Sequence, residues 1–575
     1  MKNILLLVVF TITSQFIFNP SSIAQSNTDE ISHLLDLYHD NDQFNGSVLV
    51  AEKGQVVYKG GKGMANMEWG IKNDADTKHR LGSITKQFTA MIVMQLMEEG
   101  KVKLDAPITT YIPNYPKVNG DQITLHHLLT HTSGIPNYTS FAGFFKNESR
   151  NTYSPEEFLV FFADSTLNFE PGSEFEYSNS GYFLLGYIIE QVAQDSYENE
   201  LEKRIFDPLG MKDTGYDHHG TILKNRATGY EREGMKFVNS PYLDMSIPYA
   251  AGSLYSTAED LYLWDRALYT EKLISAETKT LMYGAHADAW GGAYGYGWSI
   301  ADRDGELEIG HGGGINGFNT LISRYPEQDQ VVILLNNTGG ANLSGITKGI
   351  KAILAGKDYD IPKKSLAKAV NQAINAAGVD NGIRLFQELK NSDDYALEEQ
   401  EMNALGYDLM QSGNIAGALK IFKLNVDEFP ESWNVYDSYA EALMVSGDDE
   451  GAIKNYTRSV KMNPANTSGI KFLKDLGADT KSLESKVEID DAMLSSYVGE
   501  YEIQPGFILS ITKNGSQLSG QATGQGAAEI YPKSETEFYL KVVNAQIVFN
   551  KNAAGEVESL TLIQGGNEMV SKKIK

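Results

Sequence analysis

The chain of 575 residues contains no cysteine. This absence excludes disulfide bonds, a thiol nucleophile, cysteine-ligated metal sites and lipid attachment to cysteine. It does not identify the compartment, because many exported bacterial proteins also lack cysteine. The compartment has to be inferred from other parts of the sequence.

Basic residues are scarce as well. The chain has 49 Lys and Arg against 75 Asp and Glu, which gives a formal net charge of −26. A surface this negative repels phosphate backbones, so we expect no nucleic-acid partner. The acidic balance instead favours a well-solvated surface. With 42% hydrophobic and 22% charged residues, the composition is that of a soluble globular protein of about three domains.

Long apolar runs are missing except at the N-terminus. There, Lys2 precedes an apolar stretch from Ile4 to about Phe18, and small residues follow up to Ala24. This pattern predicts a signal peptide over residues 1–24 that is cleaved after Ala24. A membrane anchor is the alternative, but the stretch is shorter than the roughly 20 apolar residues of a span and contains polar residues. We therefore expect a periplasmic or secreted protein with no membrane span after cleavage.

Residues 27–357 mix strand-like and helix-like patterns. They predict an α+β domain in which strands from both ends of the segment meet in one antiparallel sheet flanked by helices. Helices are predicted at 85–99, 154–163 and 180–194, and a hairpin turn at Lys53-Gly54. Residues 488–575 alternate in short runs broken by glycine and asparagine, which predicts a small barrel-like all-β domain.

Residues 358–480 are helical in pattern and contain a repeat. Two copies superpose with an offset of 34 residues, so that Leu409 matches Leu443 and Pro430 matches Pro464. The period resembles tetratricopeptide repeats, and a third, degenerate copy is predicted at 365–389. Such repeats usually bind a protein or peptide. A spacer or an intramolecular brace is an equal alternative here.

The quartet Ser-Ile-Thr-Lys occurs twice, at Ser83–Lys86 and at Ser510–Lys513. The first copy begins a helical pattern, in which residues three apart lie on one face, so the lysine can reach the serine. The helix N-terminus also favours an oxyanion. The second copy lies in a strand pattern, where residues three apart point to opposite faces. Only the first copy can form a nucleophile–base pair, although alone it could be a capping serine with a solvated lysine.

Two further motifs follow in order. Tyr177-Ser178-Asn179 precedes a helical pattern, and His311-Gly312-Gly313-Gly314 lies among the strands. Together with the first quartet they resemble the serine β-lactamase and penicillin-binding-protein-like superfamily, in particular class C β-lactamases, D-aminopeptidases and family VIII esterases. The resemblance covers about residues 30–355. It implies a serine hydrolase that forms an acyl-enzyme.

The resemblance implies that Ser83 is the nucleophile and that Lys86 and Tyr177 move the proton. Lys86 must lose its charge by desolvation or beside another cation, and the pKa of Tyr177 must be lowered by Lys86. Which of the two is the base stays open, because coupled groups titrate together.

The other motif residues are expected to hold the substrate. Asn179 is implied to bind Lys86 and a substrate amide, and the backbone N–H groups of Ser83 and Gly314 to form the oxyanion hole. Gly313, like Gly312, allows close approach of the backbone. Singly, each has a structural alternative, such as a glycine bulge in the strand.

His311 departs from the pattern of β-lactamases and most penicillin-binding proteins, which have lysine there. Histidine is mostly neutral near pH 7 and holds a carboxylate less firmly. We therefore expect hydrolysis of esters or of D-amino-acid and short peptides, with an ester, a peptide or a cell-wall-derived molecule as substrate. A β-lactamase or D-Ala-D-Ala carboxypeptidase is one alternative. A non-catalytic protein that binds peptides or peptidoglycan is another.

No metal or cofactor is predicted. His127 and His131 are spaced like half of a helical zinc pair, but no glutamate base stands between them and no acidic third ligand is evident.

Overall fold

The structure, a computed structural model, describes residues 20–481, 483, 489–504, 507–523, 526–540, 543, 545–552, 555–564 and 567–574. The predicted signal peptide lies outside these residues except for its last five, which begin the helix Pro20–Asp40. Its cleavage stays a prediction. Within the described ranges, no helix combines the length and the apolar character needed to cross a membrane.

The segment with the predicted serine–lysine pair is built on one antiparallel sheet of eight strands. From edge to edge the strands are Ala287–Ala289, Gly292–Tyr294, Ser299–Arg303, Glu306–Ile315, Phe318–Tyr325, Gln330–Asn336, Gly46–Glu52 and Gln55–Lys62. Gly46, near the start of the segment, lies opposite Asn336, near its end. This pairing confirms that both ends of the segment meet in one sheet.

Two-residue turns join several of these strands. Lys53 and Gly54 have φ angles of +50° and +72°, so the predicted hairpin turn is confirmed. Positive φ at both positions is the geometry that matches the right-handed twist of a hairpin. Trp290 and Gly291 form a turn of the same kind, with φ angles of +49° and +76°.

Alternate side chains of the first strand face opposite sides of the sheet, as its pleat requires. Val48 and Val50 pack with the first and last helices of the segment, whereas Leu49 and Ala51 face a larger core around the helix Thr85–Glu98. Eleven of the 14 residues of that helix are buried. The helix is therefore held firmly at the centre of the domain.

The predicted helices are present, with one exception in length. Those expected at 85–99 and 180–194 are Thr85–Glu98 and Asn179–Ala193, but the one expected at 154–163 is only Pro155–Leu159. The prediction is wrong for the last turn of this helix. There, the backbone N–H groups of Phe161 and Phe162 donate to carbonyl oxygens three residues back, not four. The tighter turns let both rings contact Phe158.

The remaining elements of this segment are short connections around the two cores. The other helices are Lys117–Gly120, Leu125–Leu129, Phe144–Glu148, Tyr197–Leu201, Asp207–Leu209, Tyr249–Gly252, Ala258–Leu268, Ala276–Met282 and Leu343–Leu354. The other strands are Met64–Asn66, Ile71–Lys72, His79–Arg80, Gly215–Tyr216, Tyr230–Glu233, Lys236–Asn239 and Leu254–Ser256.

The following segment is helical. Its helices are Leu366–Ala377, Val379–Leu389, Glu399–Gln411, Ile415–Glu428, Trp433–Ser446, Asp449–Met462 and Thr467–Asp475. The helix starts at residues 399 and 433, and those at 415 and 449, are 34 positions apart, so the sequence repeat is a repeat of helix pairs. Its assignment to the tetratricopeptide class stays a prediction.

Several contacts hold the helical segment against the first segment. The backbone N–H of Met235 donates to the Asp408 carboxylate at 2.8 Å, and its side chain packs against the helices. Lys368 forms an ion pair with Asp42 at 2.8 Å. The role of the repeats, as a partner-binding segment, a spacer or a brace, stays a prediction.

The last segment is a closed barrel. Its strands are Gly499–Gln504, Phe507–Asn514, Gln517–Ala522, Ala528–Pro532, Glu537–Leu540, Ala545–Lys551, Val557–Gln564 and Asn567–Lys573, and the helix Asp491–Tyr497 precedes them. Tyr501 in the first strand lies opposite Lys573 in the last, which closes the ring. The second Ser-Ile-Thr-Lys copy lies in a strand, as predicted. The α+β, helical and all-β order is thus confirmed, whereas the residue boundaries of the domains stay predictions.

Candidate active site

Ser83 lies at the start of the central helix. It is the middle residue of the 3₁₀ turn Gly82–Ile84, which leads directly into Thr85–Glu98. Gly82 has a φ of +54°, and a Cβ atom there would lie 2.9 Å from both the N and O atoms of Gly314. Only glycine combines this conformation with this close approach. The turn therefore brings Ser83 next to the strand that carries Gly314.

Lys86 is completely buried and contacts Ser83. Its Nζ atom lies 3.0 Å from Ser83 Oγ, 2.8 Å from Asn179 Oδ1 and 2.9 Å from the carbonyl oxygen of Ala251. Among the described residues it forms no ion pair. Burial lowers the pKa of Lys86 well below its usual value. The predicted contact is present, and the amine is suited to be neutral.

A neutral amine in this position has a defined role for each partner. It has two N–H groups and one lone pair, and the oxygens of Asn179 and Ala251 can only accept hydrogen bonds. These two oxygens take the two N–H groups. The lone pair is then left for the hydroxyl of Ser83, which can donate. The arrangement can remove a proton from Ser83.

Tyr177 lies beside this pair. The centroid of its ring is 4.8 Å from Lys86 Nζ, and its hydroxyl is buried without a well-aligned hydrogen bond among the described residues. Burial raises the pKa of Tyr177, and the nearby hydroxyl of Ser83 lowers it by less. The expectation that Lys86 lowers this pKa is therefore wrong, because burial is the larger effect.

Asn179 is held by a residue that the sequence reasoning missed. Its backbone N–H and its side-chain Nδ2 donate to Asn137 Oδ1 at 3.2 and 3.3 Å. These bonds turn Oδ1 of Asn179 towards Lys86. Asn137 lies 42 positions before Asn179, within a stretch that resembles the family but carries no motif that marks this side chain.

His131 packs against Tyr177, with ring centroids 4.2 Å apart and ring planes tilted by 37°. It is buried, and its Nδ1 accepts the N–H of Ser178 at 3.1 Å. Burial, and then the neighbouring Lys86, lowers the pKa of His131 well below its usual value. Its helical spacing from His127 is not realised, because the helix Leu125–Leu129 ends first and His131 has a φ of +57°.

His127 instead belongs to the start of its helix, where its side chain accepts the N–H of Thr124 at 3.3 Å in a capping box. Within the described ranges, no cluster of three or more His, Asp or Glu side chains could hold a metal.

His311 is buried and neutral. Burial, and then Lys86, lowers the pKa of His311 to about 4. Its Nδ1 lies 2.5 Å from the carbonyl oxygen of Gly312, and its Nε2 lies 2.9 Å from the hydroxyl of Tyr294. A carbonyl can only accept, so Nδ1 carries the hydrogen and Nε2 accepts from Tyr294. His311 therefore presents no cation to a substrate.

The glycines lie where the strand meets the turn of Ser83. A Cβ atom on Gly313 would be 1.9 Å from the Leu81 carbonyl oxygen, so only glycine fits. The neighbouring strand Ser299–Arg303 pairs with residues 306–310 and no further. In the described part of the chain, the backbone of 311–315 thus has no strand on that side. The seven predicted site residues therefore converge on one place.

A cavity of about 600 Å³ lies between these strands and the helix that follows the sheet. Gly310, Gly312 and Ser323 line it together with the helix Leu343–Leu354. His311 also borders it, and the buried hydroxyl of Ser323 in its lining has no hydrogen-bond partner among the described residues. The predicted catalytic residues Ser83, Lys86 and Tyr177 are not among the residues that line this cavity.

Comparisons with known proteins agree with this geometry. Residues 33–357 match the family described as Beta-lactamase, and residues 483–571 match a domain of unknown function, DUF3471. The "Putative penicillin-binding protein PbpX" of Bacillus subtilis (strain 168) is 32% identical over 313 residues, which are 54% of this chain and 75% of the relative.

Two solved structures are similar to the same part of the chain. The D-amino acid amidase of Ochrobactrum anthropi SV3, complexed with L-phenylalanine, is 28% identical with a TM-score of 0.51, over 57% of this chain and 98% of the amidase. A penicillin binding protein from Bacillus halodurans is also 28% identical with a TM-score of 0.51, over 56% of this chain and 99% of its own.

Proposed function

We propose, from the premise that the chain belongs to the β-lactamase family of serine hydrolases, that it is an exported enzyme for esters and for D-amino-acid amides or short peptides. It would act through an acyl-enzyme on Ser83. The family expected from the motif order is confirmed by the match over residues 33–357. The substrate, the export and the roles of the residues are the proposal.

The observation that carries the proposal is the set of three partners around the buried amine of Lys86. In acylation, Ser83 Oγ attacks the substrate carbonyl carbon while its proton passes to Lys86. Tyr177 donates a proton to the leaving group, which departs as an alcohol or amine, and regains one from Lys86. In deacylation, water attacks the ester carbon and the bond from that carbon to Ser83 Oγ breaks, which releases the acid, while a proton of the water passes through the same groups to Ser83.

Assigning the base to Lys86 follows from the directions of the two pKa shifts. Burial lowers the pKa of Lys86 and raises that of Tyr177, so the pair rests as a neutral amine and a neutral phenol. A neutral amine accepts a proton, whereas a protonated phenol can donate one. The opposite arrangement would place two charges in a buried site.

The oxyanion would be bound by backbone groups of the Ser83 turn and of the strand. The close approach of Gly82 to Gly314 supports this, because it places the backbone of Gly314 beside that of Ser83. Two N–H groups aimed at the developing negative charge stabilise the tetrahedral intermediate.

The proposed substrate class rests on His311. A lysine at this position would offer a permanent cation to a substrate carboxylate, but His311 is neutral because burial lowers its pKa to about 4. Substrates that lack this carboxylate, such as esters and amides, are therefore favoured over β-lactams and D-Ala-D-Ala peptides. The similarity to a D-amino acid amidase supports amides as part of the class.

The test compares hydrolysis of p-nitrophenyl acetate, D-alanine amide and nitrocefin by the wild type, Ser83→Ala and Ser510→Ala. Ser510 is a matched control because it begins the other Ser-Ile-Thr-Lys copy. We expect turnover of the ester and amide that disappears in Ser83→Ala and persists in Ser510→Ala. Equal rates in wild type and Ser83→Ala would refute the proposal. Export is tested by N-terminal sequencing of the protein recovered outside the cytoplasm, which should start at Gln25.

A further inference from the structure

A tryptophan lies beside the site on a turn whose backbone disfavours it. Trp290 and Gly291 are the two loop residues of a hairpin in which Ala289 lies opposite Gly292. Trp290 has a φ of +49°. Turns of this type favour asparagine, aspartate and glycine, and a bulky residue with positive φ is an outlier that points to function. The turn itself does not account for the tryptophan.

Packing does not account for it either. The centroid of the Trp290 ring lies 5.3 Å from that of Phe175, 5.6 Å from that of Tyr177 and 6.0 Å from that of Tyr294. Despite these three contacts, the residue is 63% exposed. A tryptophan that served the core would lose most of its exposed surface. One side of the ring is therefore held in place while the rest faces solvent.

The hairpin is fixed to the strand that lines the site. Tyr294, in its second half, donates its hydroxyl hydrogen to His311 Nε2 at 2.9 Å. The same strand continues into Gly313 and Gly314. The Tyr177 ring contacts both Trp290, at 5.6 Å between centroids, and the amine of Lys86, at 4.8 Å from its centroid. Trp290 is thus linked to Ser83 through the successive contacts of Tyr177 and Lys86, on the side where an acyl group attached to Ser83 would extend towards the indole.

We propose that Trp290 determines the acyl specificity of the site, by binding an aromatic side chain of the acyl group on its exposed face. This inference rests on the proposed hydrolytic function and narrows it to arylalkyl esters and amides of aromatic D-amino acids. Offset and edge-to-face contacts between rings stabilise binding beyond the area they bury. Phe175, which meets the indole edge-to-face, extends the same apolar wall.

The test uses substrate pairs with the same leaving group: methyl phenylacetate against methyl acetate, and D-phenylalanine amide against D-alanine amide. Trp290→Asn removes the ring but keeps a residue that tolerates positive φ, and Trp290→Phe keeps a ring. Trp69→Ala is the control, because Trp69 is also exposed, at 82%, and follows the strand Met64–Asn66. We expect the aryl-to-methyl ratio of kcat/KM to fall about tenfold in Trp290→Asn and less in Trp290→Phe. It should stay at the wild-type value in Trp69→Ala.

A binding measurement separates this inference from the proposed function. In Ser83→Ala, which lacks the nucleophile, calorimetry should show that adding Trp290→Asn raises the Kd of D-phenylalanine amide about tenfold. If the wild type hydrolyses none of the four substrates but this difference in Kd persists, the hydrolytic function fails and the role of Trp290 stands. If the wild type is active and neither the ratio nor the Kd changes in Trp290→Asn, the role of Trp290 is refuted.

Discussion

The Nζ atom of Lys86 lies 3.0 Å from the Oγ atom of Ser83, and of the three partners of this amine the hydroxyl alone can donate a hydrogen bond. The other two partners are carbonyl oxygens, which only accept. The buried site therefore orients a neutral amine with its lone pair towards the serine.

Replacing the amine should remove activity without unfolding the protein. We expect Lys86→Met to lower kcat/KM for p-nitrophenyl acetate by about 10³-fold, within the range measured for loss of a general base. Stability should fall little, since methionine fills a buried site without an uncompensated charge. Lys513→Met is the control from the second quartet and should retain full activity. A Lys86→Met variant with normal activity would contradict the assignment of the base.

Activity should depend on pH through the lowered pKa of Lys86. The amine must be neutral to accept the proton of Ser83, so activity is present above its folded-state pKa and is lost as the pH falls through it. Burial places that pKa well below the ordinary value, so the acid limb of kcat/KM should lie far below the pH at which free lysine titrates. An acid limb near pH 10 would show that the amine is charged in the resting enzyme.

Asn137 should act as a positioning residue through Asn179. We expect Asn137→Ala to lower kcat about tenfold, because the amide that accepts from Lys86 loses its support. Asn137→Asp keeps the accepting oxygen but adds a negative charge near the amine. A nearby opposite charge raises the pKa of an amine, so the acid limb of this variant should move to higher pH. A purely structural role would leave the limb in place.

His311 should make stability depend on pH. Its folded-state pKa is about 4, below the ordinary histidine value, so the unfolded chain binds more protons between these values and stability falls as the pH drops. The loss between pH 7 and pH 5 should be about 2 kcal/mol for this one side chain. Urea unfolding of His311→Gln should show a loss of unfolding free energy between pH 7 and pH 5 that is smaller than the loss in the wild type by that amount. A loss in His311→Gln equal to that of the wild type would contradict the prediction.

Gly82 should tolerate no side chain. Gly82→Ala has both a positive φ and a Cβ atom 2.9 Å from the backbone of Gly314, so it should be destabilised and nearly inactive. Gly100, at the other end of the same helix, has a φ of +70° but no atom within 4 Å of a Cβ position. Gly100→Ala should lower the free energy of unfolding by about 1–2 kcal/mol, because of its φ angle alone. Gly82→Ala should lower it by at least about 2 kcal/mol more. Equal values in thermal or urea unfolding would show that the close approach does not matter.

The main features of the site could be anticipated where they depend on local geometry. A helix places residues three apart on one face, which determined that Ser83 and Lys86 meet, and a strand separates them, which excluded Ser510 and Lys513. The repeat period of 34 residues likewise appears as a regular spacing of helices. The order of the motifs was enough to indicate the family.

Only the tertiary structure decided the features that depend on burial and on partners distant in the chain. Trp290 meets Tyr177 across more than 100 positions, and Asn137 supports Asn179 without any motif of its own. The pKa of Tyr177 is raised rather than lowered because its hydroxyl is buried. Periodicity and spacing describe which way a side chain points from its own element. They do not determine which other elements cover it, and it is this covering that sets solvation, and with it the proton chemistry of the site.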